Sequence, residues 1–151
     1  MSLIYTQPAN EVTLISTEAN ALADDDLCNG TVVLDNTTNR FLYGIAELDF
    51  GAAVDMSAGN TNPCCYLYLI PSYDDTNYAD EGDITSELVP GTYLKGVFAF
   101  NKIATSRRAV IESVRLAPIK YTATLFNDLG VAFPATGVTL KAKTYTSTSS
   151  D

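Results

Sequence analysis

The sequence predicts an all-β domain, a two-sheet jelly-roll-like sandwich of about eight strands preceded by an extended N-terminal arm. Three observations carry this. Apolar residues recur mostly with period two, the repeat of a strand that alternates its side chains between faces. Gly, Asn, Asp and Pro break the pattern at short, regular intervals, as turns of an all-β fold do. Some strands are apolar on both faces, so they need cover from both sides, which two packed sheets provide and one open sheet does not. A closed up-and-down barrel is the alternative, since hairpins and long crossovers look alike before pairing is known. The 151 residues suit one domain, and 46% hydrophobic against 18% charged residues is too apolar for disorder.

Residues 1–11 read as the arm, 12–146 as the sandwich and 147–151 as a flexible polar tail. The first strand is expected over 12–17, followed at 18–23 by a segment of helical composition too short for more than a turn or two. Asn29-Gly30 signals a turn before a strand at 31–35, and 36–39 is a polar loop. Residues 40–50 form a long strand with Leu42, Gly44, Ala46, Leu48 and Phe50 on one face and Glu47 and Asp49 on the other. Residues 64–70 are apolar on both faces, as a central strand would be, and Pro71 is expected to end them. A long acidic connection over 72–91 leads to strands at 94–100, 108–116, 119–126 and 138–145, with a turn at 127–130.

Composition excludes several chemistries. With neither histidine nor tryptophan, Ser-His-Asp and Cys-His catalysis and His-ligated zinc are ruled out. No apolar run approaches the roughly 20 residues of a membrane-spanning helix, so no membrane partner is expected. A net charge of -9 argues against nucleic acid, whose phosphates demand a surplus of Lys and Arg. The charge is unevenly spread: residues 1–90 hold fifteen carboxylates against Arg40 alone, while residues 91–151 hold three against eight bases. Either the two halves form opposite ends or faces of the fold, or their strands interleave and neutralise one another. Cys28, Cys64 and Cys65 make a poor disulfide framework and read as buried thiols, which fits folding in a reducing cytoplasm. The first eight residues carry neither the basic start nor the apolar stretch of a signal peptide.

Five groups of residues are site candidates. The acidic stretch 74–83 has oxygen ligands enough for calcium but not the spacing of a calcium-binding helix-loop-helix, so it reads as a solvated loop that discourages edge aggregation, with calcium the alternative. Asp24, Asp25 and Asp26 are adjacent, and adjacent carboxylates point apart. Glu47 and Asp49 share a strand face, but glycoside cleavage needs two acids across a cleft, and such pairs are ordinary on a solvated strand. Tyr66 and Tyr68 share another, either as sugar platforms or, more simply, as core or interface residues. Arg107, Arg108, Arg115, Lys120, Lys141 and Lys143 offer a basic outer face for an acidic assembly.

Several stretches in order resemble the small all-β structural proteins of tailed bacteriophage virions, a group that includes head decoration, or cement, proteins. They are STEANALA at 16–23, VVLDNTT at 32–38, AELDF at 46–50, YLIPSYDDTNY at 68–78, LAPIKY at 116–121, LFNDLG at 125–130 and GVTLK at 137–141. The resemblance implies a non-enzymatic virion component with no cofactor, folded in the host cytoplasm. It would bind the major capsid protein or other virion subunits in many copies and associate with itself, as a trimer on the capsid lattice. Leu3, Ile4 and Tyr5 of the arm, with Arg107, Arg108, Lys141, Lys143 and Tyr145, are the expected partner-binding residues. A glycan-binding module of a tail or surface structure is the alternative.

Overall fold

Alternation decides the longest strands. In the computed structural model, which describes residues 2–5, 11–79 and 89–150, Gly44, Ala46, Leu48 and Phe50 are buried while their odd-numbered neighbours reach the surface. The described strands, in chain order, are β1 Ser2–Tyr5, β2 Val12–Ile15, β3 Leu27–Asn29, β4 Leu34–Asp35, β5 Tyr43–Val54 and β6 Cys64–Ser72. They continue with β7 Leu94–Ala99, β8 Ser106–Arg115, β9 Lys120–Asp128, β10 Thr139–Tyr145 and β11 Ser147–Ser150. The helical composition after β2 yields one 3-10 turn at Thr17–Ala19.

Two antiparallel sheets pack face to face. One has the order β2-β10-β5-β8; the other has β3-β9-β6-β7, with β4 also pairing β9. The partnerships are nested: β2 with β10, β3 and β4 with β9, β5 with β8, and β6 with β7. This is a chain folded back on itself and then rolled, the jelly-roll arrangement. The inward faces bury Leu48, Phe50, Cys65, Leu67, Phe98, Ala123, Leu125 and Leu140 in one core.

The nested pairing resolves the charge question. Every strand pair of the sandwich joins a strand from residues 1–90 to one from residues 91–151, so the acid-rich and base-rich halves interleave rather than separate. The segregation along the chain does not survive folding, and Asp49 meets Arg107 and Arg108 while Glu11 meets Lys141 and Lys143.

Other expectations shift. Asn29-Gly30 is not a hairpin turn. A Cβ at Gly30 would overlap the Leu14 carbonyl oxygen, so glycine marks a close crossing there, and the Gly30 amide donates to Ala123 O at 2.8 Å. The expected strand at 31–35 shrinks to β4, leaving Val32 and Val33 exposed. Leu42 lies outside β5 and is 51% exposed, so the inward row begins at Gly44. Pro71 does not end β6: pairing with β7 stops opposite Tyr68, so Pro71 sits where one edge of the strand has already left the ladder. The turn expected at 127–130 begins later because β9 runs through Asp128. Buried Asn127 holds that corner: its side-chain amide donates to the Leu22, Ala23 and Val131 carbonyls and its Oδ1 accepts from Leu129 N.

The residues read as arm and tail pair with each other. β1 and β11 form a separate two-stranded antiparallel sheet, Ser2 opposite Ser150 and Tyr5 opposite Ser147. The rest of the expected arm and tail, residues 1, 6–10 and 151, lies outside the described residues.

Candidate interaction face

Because even-numbered residues of β5 and β10 point inward, their odd-numbered residues build the outer face of the first sheet. Register sets who meets whom: Asp49 lies opposite Arg108, Glu47 opposite Lys141 and Val110, and Tyr43 opposite Tyr145 and Arg115. The result is an outer face of alternating charge with aromatic and aliphatic groups set into it.

At one end, Asp49 accepts from Arg108 Nη2 at 2.7 Å and from Arg107 Nε at 3.2 Å, and its Oδ1 also accepts from Gly51 N at 2.8 Å. Burial pushes the Asp49 carboxyl up, but the Gly51 amide and the two guanidinium groups outweigh it and hold it below the usual range. Gly51 turns here with φ of +71°, and a Cβ would stand 2.6 Å from the Gly137 carbonyl oxygen, so this kink in β5 requires glycine. In the middle, Lys141 Nζ lies 2.8 Å from Glu11 Oε1 and Lys143 Nζ 3.9 Å from Glu11 Oε2. The hydrogen bond with Lys141 lowers the Glu11 carboxyl and raises the lysine. At the other end, Tyr145 stacks on Tyr43 with ring centroids 5.5 Å apart, and its hydroxyl lies 3.1 Å from Ser113 Oγ. Val110, half exposed, stands among these groups.

Of the expected partner-binding residues, Arg107, Arg108, Lys141, Lys143 and Tyr145 thus come together on one sheet although they lie far apart in sequence. Arg115 joins them opposite Tyr43, whereas Lys120 does not, being on β9 of the other sheet opposite Asp35. The backbone of Leu3, Ile4 and Tyr5 belongs to the β1-β11 ribbon, and Thr146 alone separates β11 from β10. Thr146 Oγ1 accepts from Leu42 N, tying this junction to the start of β5. The period-two pattern of 40–50 already puts Tyr43 and Ile45 on the face of Glu47 and Asp49, and the structure agrees. Val110 was missed, because it joins them only through the pairing of β5 with β8, which nothing in the sequence states.

The remaining candidates are placed differently. Glu47 and Asp49 face Lys141 and the two arginines, not a second pair of acids across a cleft. Tyr66 packs on Phe126 at 5.9 Å, and Tyr68 and Phe126 both lie against a small second core of Leu27, Ile70 and Val89. Of the acidic stretch, Asp74 accepts from the Thr76 and Asn77 amides and from Asn77 Nδ2, which brings its carboxyl down to about 2. Asp80, Glu81 and Asp83 lie outside the described residues.

Asp24 and Asp25 do not point apart in isolation. Each brings a carboxylate oxygen within 4.8 Å of the other and of Asp128, with Asp24 Oδ1 accepting from Gly130 N at 2.7 Å. Asp128 also accepts from Asn60 Nδ2 at 2.6 Å. Beside this corner an open recess of about 600 Å³ is lined by Glu18, Asn20, Asp26, Leu27, Cys28 and Asn29. Burial raises Glu18, but the Thr31 hydroxyl at 2.6 Å and the Ser16 amide at 2.8 Å more than reverse it and bring the carboxyl to about 2. Burial first, then the nearby Glu18 charge, pushes the Cys28 thiol up to about 12. Cys65 is buried and raised too, and half-buried Cys64 less so. All three thiols are free.

No protein family matches the chain, and a search of curated proteins finds no match either.

Proposed function

We propose that the chain is a non-enzymatic structural subunit of a virion, a decoration or cement protein that seats on an assembled head shell and bridges neighbouring subunits. The observation that carries the reading is the run of β10 into β11, which joins the charged outer face of the first sheet to the ribbon that contains Leu3, Ile4 and Tyr5. A face on which Asp49 is paired with Arg107 and Arg108 and Glu11 with Lys141 suits a static contact: such groups set orientation rather than react. The jelly roll is compatible with this but does not decide it, since viral capsid subunits and lectins are both built on it. Binding only to the assembled shell would raise the free energy needed to open it.

The test is a shell-binding assay with empty capsids of the source particle. The expected result is saturable binding that raises the melting temperature of the shell, weakened by the double variant Lys143→Glu and Arg108→Glu. Absence of binding by the folded protein would end the proposal. A second reading, glycan binding, is favoured by the open recess, where carboxylates and amides of Glu18, Asn20, Asp26 and Asn29 form the kind of polar lining that sugar hydroxyls engage. A glycan array separates the two: sugar binding lost in Asp26→Ala supports the second reading.

A further inference from the structure

The recess beside the Asp24 corner has a braced wall. Ala21 N donates to Pro134 O, Leu22 O accepts from Phe133 N, and buried Asn127 donates to the Leu22 and Ala23 carbonyls. Ala21 takes a φ of +57°, a left-handed backbone that a residue with a Cβ keeps only where its surroundings hold it there. Glu18 is fixed by the Ser16 amide and the Thr31 hydroxyl. The Oδ1 atoms of Asn20 and Asn29 accept from Val138 N and Thr124 Oγ1, which fixes both carboxamides and leaves their Nδ2 groups as the donors they offer a ligand. A site formed in advance loses little entropy when a ligand enters.

The lining carries one sign of charge. Glu18 and Asp26 bring carboxylates to it, and Asp24, Asp25 and Asp128 cluster at the adjoining corner. No base is among the lining residues, and residues 1–10, 80–88 and 147–151, whose side chains lie outside the description, contain neither Lys nor Arg. A concave surface of one sign concentrates ligands of the other. Among the described residues no aromatic ring lines the recess, so a neutral sugar would hold by neutral hydrogen bonds, which exchange almost evenly with those to water. An ammonium group gains the stronger, charge-assisted kind.

We propose that the recess takes an amino sugar, whose protonated amine meets Asp26 and Glu18 and whose hydroxyls accept from the Asn20 and Asn29 amides. Ala21, Leu22, Ala23 and Leu27 supply the apolar remainder of the lining. Uronic and phosphorylated sugars are turned away by the same carboxylates. The inference rests on the glycan reading of this recess and is independent of shell binding.

The test is calorimetry on the full chain at about pH 6, where amines are protonated and ordinary carboxylates are not. The probes are a glucosamine trimer, its N-acetylated counterpart and a galacturonic acid trimer. The glucosamine trimer should bind roughly tenfold tighter than the acetylated one, the difference between a charge-assisted and a neutral hydrogen bond, and the uronate should not bind. Asp26 is exposed, so Asp26→Asn should fold as the parent does and lose the preference. Glu112→Gln removes the same charge from β8, at the opposite edge of the first sheet from β2, and should keep it. A preference lost equally in both variants would be diffuse attraction to an acidic protein and overturns the proposal. Equal affinity for the amine and acetylated trimers overturns it too, while leaving the glycan reading in place. Failure to bind the glucosamine trimer also overturns it; a glycan array that then reports other sugars keeps the glycan reading, and a blank array ends both.

Discussion

The two sheets share a plan and differ in what they show to the outside. In both, strands of the acid-rich first half alternate with strands of the base-rich second half. On β5 and β10 the outward positions are Glu47, Asp49, Lys141 and Lys143, so alternation of halves becomes a ladder of opposite charges. On β6 and β9 the outward positions include Tyr66, Tyr68, Ile70 and Phe126, so the same alternation produces a second apolar layer. The chain covers that layer itself, with Tyr78, Ala79, Val89 and Tyr93 packed on it. The second sheet therefore covers its outer face with its own chain, and the first leaves its outer face partly exposed.

The sharpest way to break this comparison is to truncate one outward isoleucine on each sheet. Ile70 on β6 is fully buried, and Ile70→Ala should cost about 2 to 5 kcal/mol in urea unfolding, the usual range for emptying a core isoleucine. Ile45 on β5 is only half-buried, and Ile45→Ala should cost roughly 1 kcal/mol, near the centre of ordinary substitutions. Equal losses would mean that both outer faces carry the fold.

A smaller effect is expected at the corner where the second sheet is held by side-chain hydrogen bonds. Asn127→Ala removes donors to three carbonyls and the acceptor of the Leu129 amide. Each buried group left unpaired costs about 1 to 3 kcal/mol, and water entering the vacated space offsets part of that, so a net loss of about 3 kcal/mol is expected. A loss below about 0.5 kcal/mol, the scale of a neutral surface change, would show that the loops at 22–23 and 129–131 hold without it.

Acid separates the regions further. Glu18 has a folded carboxyl at about 2 against an ordinary value of 4.5, so its contribution is fully present above pH 4.5 and is lost as pH falls toward 2. Urea midpoints followed down that window should fall, and Glu18→Gln should flatten the decline while leaving the midpoint near neutrality less changed. An unchanged slope in the variant would transfer the acid sensitivity to other carboxyls, such as Asp49.

How much of this was legible beforehand follows from which forces are local. Alternation in residues 43–50 and 139–145 and the two-sided apolar run at 64–70 are local signals; they placed these long strands nearly as found, and alternation also gave the inward rows of the first two. Val32 and Val33 look equally strand-like, yet the Thr31 hydroxyl binds Glu18 and Gly30 is pinned against Leu14, contacts thirteen or more residues away that no window contains. The basic residues at 107–108 and 141–145 were singled out as one surface, but that they share it with Glu11, Glu47 and Asp49 depends on nested strand order. A charge's place along the chain says nothing about which strand will lie beside it. Asn127 and Asp128 read as a turn because Asn and Asp favour turns, whereas the side-chain bonds of Asn127 extend β9 instead.

The smallest expected effect concerns the charged ladder and tests whether it is structural at all. Asp49→Asn keeps an acceptor for the Gly51 amide but removes the charge facing Arg107 and Arg108, whose side chains are both about half exposed. Exposed ion pairs give back in side-chain entropy and screening much of what they gain, so the loss should be under about 1 kcal/mol and should shrink further in high salt. Ile70→Ala should be as damaging in salt as without it, because removal of apolar area is not screened. If Asp49→Asn instead cost as much as Ile70→Ala, the outer face of β5 and β8 would be a clamp of the sandwich. Its charges would then be committed to holding the fold and unavailable to orient a partner.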